Sequence, residues 1–203
     1  MMNGPFQYFT INQSGIAEYK DRNSKFIAYA FPFHDKDNLK KHLDDLKKEH
    51  VKAGHFCFAY RIGTDGNLFR STDNGEPSGT AGKPILGQID KLNLTDILIV
   101  VVRYFGGTLL GVPGLTNAYK TAAALVLQML PVITIEVESS FQVQFPYEKI
   151  NDMMQIIKTC TARVYWQENL LFCTMQVRVP IKHQQQFIER IQEVQGLEME
   201  EVS

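Results

Sequence analysis

Residues 95–129, TDILIVVVRYFGGTLLGVPGLTNAYKTAAALVLQM, decide the fold. Ile97 to Val102 is an unbroken aliphatic run bounded by Asp96 and Arg103. It is too short to cross a membrane, and its β-branched residues suit a pleated surface, so it predicts a strand buried on both faces. Gly106-Gly107-Thr108-Leu109-Leu110-Gly111-Val112-Pro113-Gly114 follows. Glycine at this density relieves backbone crowding and permits positive φ. Pro113 fits the first turn of a helix, where its missing N–H costs nothing. Leu115, Ala118, Ala122, Leu125, Val126 and Met129 then recur at helical spacing. The unit reads strand, glycine loop, helix, with Arg103 and Tyr104 at the strand exit.

Upstream, Thr72-Asp73-Asn74-Gly75-Glu76-Pro77-Ser78-Gly79-Thr80-Ala81-Gly82-Lys83-Pro84 is a second glycine-rich segment. Pro84 must sit in a helix's first turn or outside it. A helix through Ile85, Leu86 and Ile89 therefore begins near Thr80, with Thr80 or Ser78 as its cap. Eight of the fourteen glycines fall between Gly75 and Gly114, in two clusters that each precede a helix. That concentration argues for a built site. Free N–H groups at two helix N-termini attract anions, Lys83 and Arg103 add charge, and Ser78, Thr80 and Thr108 add donors. The same residues serve equally well as caps and as places where helices pack close to a sheet.

The remaining elements fall into place around this pair of loops. Strands are expected at 6–11, 16–20, 25–33, 55–62 and 68–71. A helix over 35–50 starts at an Asp35 cap and carries the stripe Leu39, Leu43, Leu46 with His50 or Val51. Pro131 ends the long helix, and 132–138 alternates as a strand. From Ser139 the order becomes strand (Phe141, Val143, Phe145), helix 147–159, strands 163–168 and 171–179, helix 182–195 and strand 197–202. That β-α-β-β-α-β order is a split βαβ, ferredoxin-like unit. Two domains follow, 1–138 and 139–203.

With 203 residues, 44% hydrophobic and 21% charged, the chain is ordinary globular protein. Its net charge of −1 provides no broad field for nucleic acid; positive charge is in excess up to residue 130 and negative charge after it. Cys57, Cys160 and Cys173 are odd in number and lack CxxC spacing, so free thiols in a reducing, cytoplasmic setting are expected. The N-terminal MMNGPFQYFT carries no basic leader, and no membrane segment is expected.

Familiar chemistries are absent from the pattern. Between Gly75 and Gly82 the spacing is wrong for a phosphate loop, and Pro84 stands where a magnesium-binding hydroxyl belongs. No GxGxxG, GxSxG or HExxH occurs. No cofactor motif is present. Glu76 with His55 is the one acid/base pair to consider, but no nucleophile–base–orienter set assembles, and no catalytic residue is assigned. Glu76 is expected instead to neutralise Lys83 or Arg103. His34, His42, His50 and His55 read as solvated or strand residues, without metal-ligand spacing. Tyr60, Phe69, Phe105 and Tyr119 read as core, and Tyr104 as a contact residue.

Gly75-Glu76-Pro77-Ser78-Gly79-Thr80-Ala81-Gly82-Lys83-Pro84-Ile85-Leu86 and Arg103-Tyr104-Phe105-Gly106-Gly107 resemble the signature of the IMPACT family, in its bacterial, YigZ-like branch. Ser24-Lys25-Phe26-Ile27-Ala28 and Ala59-Tyr60-Arg61 are similar to earlier segments of that family. The resemblance covers roughly 15–130, and 139–203 is similar to the small domain that follows in YigZ-like proteins. It implies an α+β, two-domain protein: a sandwich like domain 2 of ribosomal protein S5, then a ferredoxin-like domain like the C-terminal ones of elongation factor G. It also implies a link to translation, since eukaryotic relatives bind a partner of a stress kinase. The chain departs from the family where Leu109 and Asn117 replace a lysine and an arginine, and where Val112-Pro113 replaces a glycine-rich pair. The expected function is a non-enzymatic translation-associated regulator binding RNA, the ribosome or a protein partner. The alternative is a small anionic-ligand protein, or an enzyme of undefined class, acting at the same loops. The expected contacts are Lys25, Arg61, Glu76, Ser78, Thr80, Lys83, Arg103, Tyr104, Gly106 and Gly107.

Overall fold

The computed structural model describes residues 6–202. The reading of residues 1–5 as free of a leader lies outside them. Two compact units are present, one of residues 8–135 and one of residues 136–202 with 6–7.

The first unit is built on β2 (Gly15–Asp21), β3 (Ser24–Pro32), β4 (His55–Ile62), β5 (Leu68–Thr72) and β6 (Ile97–Tyr104). They form one antiparallel sheet of order β2-β3-β6-β4-β5. The aliphatic run forms the central strand, β6, with Ile97 through Val102 at 0% exposure. Alternation then sorts its residues by face. Ile97, Ile99 and Val101 join Cys57, Ala59, Phe26 and Ala28 beneath α2 (Gly82–Lys91) and α3 (Gly111–Gln128). Leu98, Val100 and Val102 join Tyr29, Phe58 and Tyr60 beneath α1 (Leu39–Glu49). Helices on both faces explain why β6 reads as a continuous apolar run. β1 (Gln7–Ile11) and β7 (Val132–Glu136) pair separately.

The second unit runs β8 (Glu138–Phe145), α4 (Ile150–Thr159), β9 (Arg163–Asn169), β10 (Cys173–Pro180), α5 (Ile181–Glu193), β11 (Glu198–Val202). Its antiparallel sheet has the order β11-β8-β10-β9, the ferredoxin-like arrangement. Phe141, Val143, Phe145, Met175 and Val177 pack under Met153, Ile157 and Phe187 as a core of its own.

Several expectations are corrected. Phe69 and Phe105 are 54% and 55% exposed and are not core, because one lies on the terminal strand β5 and the other leaves the sheet after β6. Met129 and Val51 are exposed, lying past the ends of α3 and α1. His50 is buried rather than solvated, held between the hydroxyls of Tyr29 at 2.5 Å and Tyr104 at 2.8 Å. All three cysteines are buried. Among the described residues no helix is long and apolar enough to cross a membrane.

Candidate functional site

Register brings the two glycine loops to one end of the five-stranded sheet. Arg103, at the carboxyl end of β6, pairs with His55 at the start of β4 and with Phe26 near the start of β3. Thr72, the last residue of β5, pairs with Phe58 close by, so the segment leading into α2 departs from that same end. α3 follows β6 directly. Both helices therefore begin where the Ile97–Ile99–Val101 face ends in Arg103.

Arg103 lies beneath this end with a side chain only 6% exposed. Its Nη1 donates to Glu76 Oε1 at 2.6 Å, and the Glu76 side chain is 4% exposed. Tyr119, on α3, donates to the same oxygen at 2.8 Å. His55 Nδ1 donates to Asn74 O at 3.0 Å, which turns Nε2 toward Glu76 Oε1 at 3.9 Å. The guanidinium packs between the rings of Phe26 and Phe105, at 5.4 and 5.6 Å from their centroids. Its Nε is buried without an acceptor among the described residues. Cys57 Sγ sits 3.3 Å from Tyr119 Oη and 2.9 Å from Asp73 O. Burial pushes this thiol up to about 12, against the effect of its hydrogen bond to Tyr119, so it stays protonated and unreactive. Burial also raises Tyr119, and Cys57 and Glu76 raise it further.

The start of α2 is closed by a carboxylate. Asp73 Oδ1 accepts from the N–H of Ala81 at 2.9 Å and of Gly82 at 2.8 Å, and Oδ2 accepts from Gly79 N–H at 2.8 Å. Burial works against the Asp73 charge, but these donors and nearby Lys83 outweigh it and hold the carboxyl below its usual range. The expected cap, Thr80 or Ser78, is therefore replaced. Thr80 is 1% exposed and its hydroxyl donates to Pro77 O at 2.7 Å, three residues back, while Ser78 is exposed. The sequence signal for Asp73 is faint: it lies eight residues before Ala81, beyond the reach of local cap rules, and only the lack of Ser, Thr, Asp or Asn at Ala81 hints at a distant donor-acceptor partner.

Lys83 is exposed in the first turn of α2, at the same end. Lys25, the second residue of β3, is at this end too, but it pairs in register with Tyr104 rather than Arg103 and so points to the opposite face, where Glu18 holds it at 2.6 Å. Gly106 N–H donates to Ser24 Oγ at 3.2 Å. A Cβ on Gly106 would fall 2.1 Å from the Asn23 carbonyl carbon, so the loop and the β2–β3 turn touch through bare backbone.

Arg61 and Tyr104 also lie away from the site. Arg61 pairs with Ile97, at the opposite end of β6, six residues along β4 from His55 and therefore about 20 Å away. It is held by Asp90 at 2.6 Å and packs over Phe69. Tyr104 is next to Arg103 in sequence and so points to the other face, where it bonds His50. Among the described residues no group of His, Cys, Asp and Glu is placed to hold a metal ion.

These features define a two-unit α+β protein whose first sheet ends in a buried arginine–glutamate pair framed by two glycine loops. A family model described as the Impact N-terminal domain matches residues 22–127. The chain is similar to IMPACT family member YvyE of Bacillus subtilis, 32% identical over 82% of this chain and 78% of that one. It is 37% identical to Protein IMPACT of Rattus norvegicus over 47% of this chain and 31% of that one. A crystal structure of a hypothetical protein aligns over 98% of both chains with a TM-score of 0.70 and 25% identity. The protein belongs to the IMPACT family.

Proposed function

We propose that this protein is a non-enzymatic, translation-associated regulator that acts in the cytoplasm by docking RNA, the ribosome or a protein partner on the glycine-loop face of its first unit. The observation that carries this reading is the loop after β6. Phe105, Leu109 and Val112 are 55%, 81% and 56% exposed there, on a segment anchored by Gly106 against the β2–β3 turn. Apolar side chains held in solvent at the sheet end that also carries Lys83 make a contact surface. Of the three kinds of partner, a protein suits it best, because Leu109 and Asn117 stand where phosphate-facing cations would add affinity. Capture from native lysate, with and without ribonuclease, tests the reading. Wild type is expected to retain a translation component after ribonuclease treatment, and Leu109→Asp to lose it. If both proteins capture the same set, the loop is not the docking face.

A small anionic, phosphate-containing ligand at the same loops is a second reading, and an enzyme acting on a phosphorylated substrate is its extension. The acceptor-less Arg103 Nε favours it. Against it, Glu76 already neutralises Arg103 and Asp73 already fills the α2 N-terminus. Inorganic phosphate titrated while the amide signals of Gly106 and Gly107 are followed separates the two readings, since only a phosphate site shifts both saturably.

A further inference from the structure

The face of the first unit opposite α2 and α3 carries a groove that the reading above does not use. α1 covers β3, β6 and β4, but the sheet continues one strand further, to β2. A groove of about 600 Å³ runs between them, lined by Gly15, Ile16, Tyr29, Phe31, Leu46 and Glu49, with His42 and Asp45 on its rim. Its floor is aromatic: Tyr29 and Phe31 stack at 6.2 Å, and His42 packs on Phe31 at 4.6 Å.

Charge on the lining is of one sign. Asp45 and Glu49 are its carboxylates. Burial, with Lys41 beside it and against the pull of Asp45, holds the His42 pKa below its usual value, which disfavours a positive charge on the ring. Lys20 and Lys25 are engaged by Glu18 at 3.1 and 2.6 Å, and none of the three lines the groove. Lys48 reaches Asp45 at 3.3 Å across solvent, a pairing with little energetic weight. Among the described residues the Glu49 carboxylate accepts from Tyr29 Oη at 3.2 Å and meets the buried His50 Nε2 at 3.6 Å, with no lysine or arginine pairing it.

β2 is also a terminal strand. It pairs with β3 on one side only, and no backbone partner meets its outer edge among the described residues. Such edges are usually guarded by charge, proline or a bulge. The half Gly15-Ile16-Ala17 has none of these, and Ile16 is 56% exposed toward the groove.

We infer that this groove is a peptide-binding site, which takes an extended segment of another protein whose groove-facing positions, every second residue, carry apolar side chains and lysine or arginine in turn. The segment adds to β2 as a further strand, through main-chain hydrogen bonds. Its apolar side chains cover Ile16 and Leu46. Its cations reach Asp45 and Glu49 over the Tyr29–Phe31 floor.

The test uses the full chain and a fluorescent peptide of sequence Leu-Ser-Lys-Ser-Leu-Ser-Lys, the seven residues of β2 in length, which sets leucine and lysine on one face of the strand. The same peptide with glutamate in place of lysine, and butylammonium, are the controls. The leucine–lysine peptide is expected to bind about tenfold or more tightly than the acidic one. Asp45→Lys with Glu49→Lys should weaken it by about the same factor, and so should Ile16→Lys, while Leu109→Asp leaves it unchanged. The amides of β2 should gain exchange protection on binding. Equal binding of the two peptides would overturn the inference, as would indifference to the charge reversals. Competition by butylammonium at the peptide's own concentration would mark a small-amine site instead, and self-association through β2 that excludes the peptide would mark a dimer edge; either sinks the proposal.

Discussion

Glu76 and Arg103, twenty-seven positions apart in sequence, meet at 2.6 Å with both side chains more than nine-tenths buried. The pair joins the loop before α2 to the end of β6, and Tyr119 fastens α3 to the same oxygen. Three elements thus depend on one carboxylate. Removing one partner leaves a buried charge without compensation, so Glu76→Gln is expected to cost about 3 kcal/mol in urea unfolding. Glu76→Gln with Arg103→Met, which removes both charges, should recover part of that loss. A double variant weaker than the single one would mean that the pair is not what holds the loops.

Asp73 sets a pH dependence. Its folded pKa is depressed, although burial opposes this, because three backbone N–H groups at the head of α2 favour the charged form. The stabilisation is therefore fully present above its ordinary value near 3.8 and fades as pH falls through the lower folded value. Asp73→Ala should cost about 1–2 kcal/mol at pH 7, the usual worth of a cap. Measured across pH 3 to 7, the gap between wild type and variant should narrow at the acid end. A gap of constant size would show that charge at Asp73 contributes nothing.

The two adjacent glycines of the β6–α3 loop should respond differently. Gly107 has φ of +83° and open space around its missing Cβ, so Gly107→Ala is a purely conformational change expected to cost about 1 kcal/mol. Gly106 meets backbone atoms of Asn23 and Ser24 within 2.4 Å of a built Cβ. Gly106→Ala must part the loop from the β2–β3 turn, and melting should fall further than for Gly107→Ala. The reverse order would mean that the loop does not rest on that turn.

How far the sequence reaches depends on how local the cause is. The strand–loop–helix unit is readable because aliphatic residues, glycine density and Pro113 each act within a few positions. The counter-charge role of Glu76 is readable too, since one acid stands in a loop beside two cations. The cap at Asp73 is not, because Thr80 satisfies the local rule on paper while its hydroxyl turns back to Pro77. Tyr104 misleads for a simpler reason: sequence neighbours on a strand face opposite ways, so an arginine and a tyrosine side by side cannot share a site. Arg61 resembles a family segment, yet register places it at the far end of the sheet, and register is a property of strand pairing rather than of spacing. Phe69 and Phe105 show that aromatic character alone does not bury a residue at a sheet's margin.

The last prediction concerns the join between the units. We propose 1–138 and 139–203 as independent domains. The apolar clusters of the first unit draw only on residues up to Leu130, and that of the second begins at Phe141. A chain of residues 1–138 keeps the five-stranded sheet, its three helices and the β1–β7 pair. It loses the partner of Val137, whose carbonyl accepts from Ile181 N–H at 2.8 Å, and the partner of Glu138, whose carboxylate meets Arg163 at 2.5 Å. Both losses fall at the chain's new end, where a carbonyl and a carboxylate can turn to water at little cost. The shortened chain is therefore expected to unfold in a single cooperative step with dispersed amide signals. Its urea midpoint should lie within about 1 M of the transition that reports on the first unit in the full chain. A 1–138 chain without dispersed signals, beside a stable full-length protein, would show that the two cores fold as one unit.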